Sequence, residues 1–357
     1  MELLRQLGHH TVFINANESC GISLEDSTLR SIQFQDSSMS LSKKQLLGAI
    51  SNGDDYLPLS LYWEVLDRCN FSCPFCYIVG HSSSRIVRFS EIHSHLSDLV
   101  EEGLLFCTLT GGEAILHPDF ADIYTFLKES GVFVEVFTNG YTLDDKLIDL
   151  FMRYRPYSIE VSLYSMKDDK LKRVYGASGD RPAATVRDNV LKLQKHGLPV
   201  VCKTFLNTLT RVDLAEIVRW CGDNALEHYS SSDLTPAYDG ASLSHFQVDN
   251  KEGDSRLPIA PVKSYVCFPC DTKHYGCAIT PSFEIFPCPS IRHRDCYFDL
   301  RQLGVRESLR RMKSFMRTFQ DMEIKGGYGG QAGCKTCIAF SEPLRNESGE
   351  ILFFTGV

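Results

Sequence analysis

From residue 61 onward short apolar stretches alternate with amphipathic ones, regularly enough to predict elements. Leu61-Tyr62-Trp63-Glu64-Val65-Leu66 reads as a strand, with further strands over 104–109, 133–137, 158–163 and 199–206 and a last extended piece over 228–234. Between them, apolar positions at the helical period predict helices over 90–102, 118–130, 143–154, 169–174, 183–196 and 213–224. Strands that take turns with covering helices imply right-handed crossovers and a parallel sheet. The six units predict an α/β fold, a partial (β/α)6 barrel over 57–237. In such a barrel the chemistry sits where the strands end, at their C-terminal edge.

The flanks read differently. Residues 1–56 are polar and weakly patterned, and are expected to form a small N-terminal cap with a hairpin around 11–14 and 29–34 and a helix from Ser42. Residues 238–264 read as a linker. A small Cys-rich module over 265–340 follows, with a hairpin over 278–286, a helix over 306–321 and the pair Cys334-Lys335-Thr336-Cys337, and 341–357 form a tail.

Charge narrows the partners. Lys plus Arg number 37 against 45 for Asp plus Glu, a net −8, so the bulk composition asks for neither nucleic acid nor an anionic membrane. No stretch approaches the roughly 18 apolar residues of a membrane span, and the first residues lack the apolar core of a signal peptide. A cytoplasmic address is expected.

The 14 cysteines are unevenly placed: three lie between Cys69 and Cys76, five between Cys267 and Cys296, and two at Cys334 and Cys337. In a reducing compartment such groups point to thiolate sites, not disulfides. Directly after the first strand stands Cys69-Asn70-Phe71-Ser72-Cys73-Pro74-Phe75-Cys76-Tyr77. Three thiolates on one loop suit a four-iron cluster that takes one Cys per iron and leaves one iron open. They also suit a structural zinc site with His81 as fourth ligand. The second strand ends in Thr110-Gly111-Gly112-Glu113, where two glycines let a ligand approach the backbone beside a carboxylate.

With these features the sequence resembles the radical S-adenosylmethionine (SAM) superfamily. The matching pieces are the Cys-x3-Cys-x2-Cys loop, the Gly-Gly-Glu, Phe137-Thr138-Asn139-Gly140 and Val161-Ser162-Leu163-Tyr164-Ser165, and they cover about residues 60–235. The resemblance implies that Cys69, Cys73 and Cys76 ligate a [4Fe-4S] cluster whose open iron takes the amino and carboxylate groups of SAM. It further implies that Gly111, Gly112 and Glu113 hold the methionyl amine and that Phe75 and Tyr77 lie against adenine. Asn139 and Ser162 match positions that reach ribose or carboxylate, and Arg173 is similar to the arginine that pairs with the SAM carboxylate. One departure is Ala114, where the family usually has Pro. The chemistry implied is reductive cleavage of SAM to a 5′-deoxyadenosyl radical, which abstracts hydrogen from a substrate.

The C-terminal cysteines resemble a twitch domain, the shortened form of the SPASM domain. The grouping Cys270, Cys288, Cys334 and Cys337 implies one auxiliary [4Fe-4S] cluster that accepts an electron; zinc is the alternative. Cys267, Cys277 and Cys296 are unassigned, and Cys277 can replace Cys270. Phe283 stands where that hairpin usually has Gly, which suggests a different turn and leaves the register open.

Other signals are weaker. Between Arg292 and Arg317 eight basic residues face three acidic ones, which reads as a solvated helix face or a dock for an acidic peptide. Asp233 and Asp239 are candidates to take a proton from a substrate radical, with Asp233 preferred. His93 and His95 read as surface or packing residues. The function expected is a radical SAM oxidoreductase that matures, by crosslinking, a ribosomally synthesised peptide, supplied with electrons by a reductant such as flavodoxin or ferredoxin. The alternatives are a radical dehydrogenase or rearrangement enzyme for a small sugar or aminocyclitol, and a non-enzymatic zinc or iron–sulfur scaffold.

Overall fold

The computed structural model describes residues 2–7, 10–15, 19–23, 29–33, 58–78, 85–232, 237, 243–248, 276–289 and 296–320. The helix expected from Ser42 lies outside them, as do His81, Asp233, Asp239, Cys267, Cys270, Cys334 and Cys337.

The N-terminal region departs from expectation. Strands β1 (Glu2–Leu7), β2 (His10–Asn15), β3 (Ser19–Ser23) and β4 (Leu29–Gln33) form an antiparallel sheet of their own in the order β1-β2-β3-β4. The two strands read from sequence exist but are not partners, because β3 pairs with both. A Ser-Cys-Gly-Ile-Ser strand carries little β-propensity, so the ladder on each side decides it.

Strands β5 (Ser60–Leu66), β6 (Phe106–Gly111), β7 (Phe133–Thr138), β8 (Ser158–Ser162), β9 (Val200–Phe205) and β10 (Glu227–Ser231) are parallel, each beside its neighbour in sequence. Sequential order with one handedness puts all crossover helices on one face, as in a barrel and unlike a doubly wound sheet. The helices are α1 (Phe89–Glu101), α2 (Phe120–Glu129), α3 (Asp145–Arg153), α4 (Asp168–Tyr175), α5 (Pro182–Lys195) and α6 (Leu214–Asp223). Their ends follow local chemistry: the Asp144 carboxylate accepts from Leu147 N at 2.8 Å to start α3, Pro182 opens α5, and Gly176 in the left-handed region closes α4.

Alternation along each strand separates two environments. Leu61, Trp63, Leu109, Val134, Val136, Ile159 and Val161 join Ile92, Leu96, Leu127 and Val190 in one buried core. The opposite face carries Thr108, Glu135, Glu160, Lys203 and Tyr229, so the inside of the barrel is polar.

Beyond β5 the sheet continues. Strand β11 (Gly276–Ile279) pairs in parallel with β5, and β12 (Glu284–Phe286) and β13 (Phe298–Asp299) follow in antiparallel order. The hairpin register is Ala278↔Phe286 and Ile279↔Ile285. Phe283 adopts φ +65°, the conformation a glycine would take, so its presence keeps the turn. Its ring is buried, 5.8 Å from Trp63 and 5.9 Å from His95, which offsets the backbone cost. His93 lies between Phe89 and Phe126, so both histidines serve packing.

After the short helix α7 (Leu300–Leu303), α8 (Val305–Gln320) carries the basic stretch. Arg310 and Arg311 share Glu307, and Arg306 reaches Glu102 on α1 at 2.5 Å. Part of the positive charge is therefore answered within the chain. No helix among the described residues is long and apolar enough to cross a membrane.

Replacing Phe283→Gly relieves about 1 kcal/mol of left-handed strain but removes a buried ring worth about 3–5 kcal/mol. The expected net loss is about 2–4 kcal/mol in denaturant unfolding of the full chain; a more stable variant would mean the ring contributes nothing.

Candidate active site

The site begins where β5 ends. After Leu66 the chain runs through Asp67 and Arg68 into Cys69, and the turn beyond is closed by Cys76 N donating to Cys73 O at 3.0 Å. Two neighbours pin this loop. Ser72 N donates to Tyr175 O at 2.7 Å at the end of α4, and the next residue, Gly176, comes so close that a Cβ there would lie 3.1 Å from Ser72 Cβ.

The second neighbour is the Gly-Gly-Glu turn after β6. Gly112 N donates to Leu66 O at 2.6 Å and Glu113 N to Arg68 O at 2.9 Å. A Cβ on Gly111 would stand 2.2 Å from Leu66 O, and one on Gly112 2.2 Å from Arg68 O. The space that a Cβ would need at these glycines is thus taken by the chain's own carbonyls. Their role here is to press the Glu113 turn against the cysteine loop.

Glu113 is 1% exposed. Its Oε2 accepts from Asn139 N at 2.7 Å, while Oε1 is buried without a partner. Burial pushes its carboxyl up to about 7, against the lowering hydrogen bond from Asn139 N. Such an oxygen calls for a donor that the described chain does not supply, and a cationic amine is the strongest one. Burial likewise pushes the Cys69 thiol up to about 12 and those of Cys73 and Cys76 upward, with the thiols raising one another. Thiols in that state become thiolates only when a metal takes the proton's place. Soft sulfur donors and an orphaned carboxylate oxygen together fit a cluster with an amine beside it.

The remaining expected residues are placed as follows. Phe75 is buried, with its ring 5.1 Å from Tyr164, 5.6 Å from Phe205 and 6.1 Å from both Tyr175 and Phe246. It anchors the loop in a protein aromatic cluster, at the position that the resemblance expects to lie against adenine. Tyr77 is half-buried at the end of the loop. Ser162 ends β8 and is half-buried. Asn139 has its side chain turned to the cysteine loop, where Nδ2 donates to Asn70 Oδ1 at 2.6 Å. Arg173, expected to pair with the SAM carboxylate, has its side chain 78% exposed on α4 and paired with Asp169 at 2.6 Å, since a helix position four residues on finds its partner one turn back.

Of the C-terminal cysteines, Cys277 belongs to the hydrophobic core and its thiol faces Ser60 O at 3.9 Å, so it packs between β11 and β5. Cys288 and Cys296 are buried.

Sequence reading missed two sets of residues. One is the aromatic cluster of Tyr164, Tyr175, Phe205 and Phe246, which comes from four separate segments and leaves no local pattern. The other is the polar interior. Thr108 Oγ1 donates to Glu135 at 2.6 Å, Tyr229 donates its hydroxyl to Glu160, and Lys203 lies 3.5 Å from Glu160 and 4.5 Å over the Phe137 ring. Its signal was present as polar residues at alternate positions of apolar strands.

Residues 63–221 match the Radical SAM superfamily. Over this stretch the sequence matches the radical SAM domain. Among relatives, the sporulation killing factor maturation protein SkfB of Bacillus subtilis is 27% identical over 175 residues, 48% of this chain and 41% of SkfB. The antilisterial bacteriocin subtilosin biosynthesis protein AlbA of the same organism is 24% identical over 248 residues, 65% of this chain and 55% of AlbA. The chain thus spans about half the length of these relatives. The fold is shared with SuiB of Streptococcus suis, solved bound to S-adenosylmethionine, at TM-score 0.57 and 12% identity over 74% of this chain and 68% of SuiB.

The radical SAM domain gives Glu113 a testable signature. Its folded pKa lies above the ordinary 4.5, so the chain without cofactors is favoured while the carboxyl is neutral. That contribution is complete below 4.5 and lost as pH rises through about 7. Glu113→Gln should therefore gain on the parent by up to about 3 kcal/mol between about pH 5 and about pH 8. Urea midpoints of the two apoproteins read this difference; one that does not grow with pH would put the carboxylate in water.

Proposed function

We propose that the chain is a radical SAM enzyme that oxidatively matures a ribosomally synthesised peptide. The observation that carries the SAM part is the clamp of the cysteine loop on the Glu113 turn, which leaves a buried carboxylate oxygen without a partner among the described residues, near the Cys69 thiol. Among the described residues no three His, Cys, Asp or Glu side chains converge on a single-ion site. A cluster that takes one Cys per iron needs no such convergence.

Cys69, Cys73 and Cys76 would hold the cluster, and Glu113 with the Gly111-Gly112 turn would orient the amine of SAM. The bound cluster and SAM supply the electron and the carbon radical that removes hydrogen from substrate. The chain's own part is to fix the loop by Ser72 and Phe75, to keep water out with the aromatic cluster, and to line the interior with Glu135, Glu160, Lys203 and Tyr229.

The peptide reading is supported by what the relatives are called: SkfB is a maturation protein, AlbA a bacteriocin biosynthesis protein, and SuiB has also been solved bound to the precursor peptide SuiA. Among the described residues β1 and β4 each pair on one side only, and strand edges of that kind are those with which extended peptides pair. For the auxiliary [4Fe-4S] cluster the proposed ligands remain Cys270, Cys288, Cys334 and Cys337, with Cys277 set aside as a core residue. Electrons would come from a flavodoxin or ferredoxin in the cytoplasm.

Anaerobic reconstitution with iron, sulfide and SAM should yield 5′-deoxyadenosine, and Cys76→Ala should abolish it; product from that variant would overturn the ligand assignment. Iron should amount to about eight per chain, falling to about four in Cys334→Ala/Cys337→Ala. Cys277→Ala should keep the parent's iron while losing about 1 kcal/mol of stability. Co-expression with a short peptide encoded beside the gene should remove two hydrogen atoms per crosslink, read by mass spectrometry, and an unchanged peptide would favour a small-molecule substrate.

A further inference from the structure

The Asn139 side chain touches the cysteine loop while its own backbone holds the carboxylate of the second turn. The residue follows β7 in a tight Thr138-Asn139-Gly140 turn, where Gly140 N donates to Thr138 Oγ1 at 3.0 Å and Gly140 takes φ +71°. Its Oδ1 accepts from Tyr141 N at 3.0 Å, which fixes the orientation of the amide, because a flipped group would set two donors face to face. Nδ2 therefore points to the loop, donating to Asn70 Oδ1 at 2.6 Å and to Cys69 Sγ at 3.7 Å. Phe71 N adds a second donor to the same sulfur at 3.3 Å. Meanwhile Asn139 N holds Glu113 Oε2 at 2.7 Å. The residue is 8% exposed, so water does not compete for these contacts.

The geometry points to Asn139 as a positioning residue that sets how readily the cluster held at Cys69 accepts an electron, through the Nδ2–H···S bond. The inference rests on the reading of Cys69, Cys73 and Cys76 as cluster ligands. Reduction adds negative charge to the cluster and its thiolates, so a donor aimed at one sulfur favours the reduced state more than the oxidised one. Burial strengthens the effect, since little solvent screens the dipole. The family resemblance pointed instead to a contact with ribose or carboxylate, and the two roles predict different measurements: a sulfur donor moves the potential, whereas a ribose contact moves only the affinity for SAM.

The test is a redox titration of the reconstituted full chain followed by electron paramagnetic resonance, without SAM, in the parent, Asn139→Ala and Asn139→Asp. The aspartate keeps the acceptor for Tyr141 N and the shape of the turn but replaces the donor at Cys69 with an oxygen. Both variants should keep the parent's iron and show a more negative midpoint. A tenfold lower ratio of reduced to oxidised cluster at fixed reductant corresponds to about 59 mV for a one-electron couple. Parental iron with a parental midpoint in Asn139→Asp would overturn the inference. Loss of iron from that isosteric variant would overturn it as well, because a donor that only tunes the cluster leaves three ligands in place to hold it. Weaker SAM binding with an unmoved midpoint would assign Asn139 to the nucleoside. A parent chain that binds no cluster would instead sink the proposed function, and the absence of an iron signal separates that failure from the others.

Discussion

The structure depends on one backbone contact, the meeting of the Gly111-Gly112-Glu113 turn with the carbonyls of Leu66 and Arg68. Strands β5 and β6 are neighbours, but a ladder ends where strands end, and the chain beyond would ordinarily splay. Two residues without Cβ atoms let the ladder continue for two more hydrogen bonds into the loops. The cysteine loop is thereby fixed to a rigid sheet at its first residue and to α4 at Ser72. A site carried on loops gains the precision of one built on strands.

That contact also determines the electrostatics. Held under the loop, Glu113 loses its water and the three thiols are partly desolvated. Without cofactors the cheapest answer is to keep all of them protonated, which the raised pKa values express. Cations brought by a cluster and an amine reverse this balance, so the groups that burden the empty chain become ligands in the loaded one. Asn139 joins both halves, since its backbone faces the carboxylate and its side chain the sulfur.

The interior of the barrel repeats the principle on a larger scale. Glu135 and Glu160 would be costly inside a sheet were they not met by Thr108, Tyr229 and Lys203. Burial raises the Glu160 carboxyl while Lys203 draws it down. The hydrophobic core lies instead between sheet and helices, where it stabilises the barrel without filling the space in which chemistry would take place.

Periodicity alone determined the six strand–helix units, because the period of two and the period of 3.6 are properties of the local chain. Spacing alone determined the cysteine loop and the Gly-Gly-Glu turn, because their residues are contiguous. What lies between segments was decided only in three dimensions. Phe75 packs among four rings brought from distant segments, and Arg173 faces solvent beside Asp169, one helical turn away. Phe283 kept a glycine's conformation because Trp63 and His95 bury its ring, and β2 and β4 pair through β3 instead of with each other. Local sequence specifies what a segment can form; the free energy of contacts between distant segments selects which of its side chains remain for function.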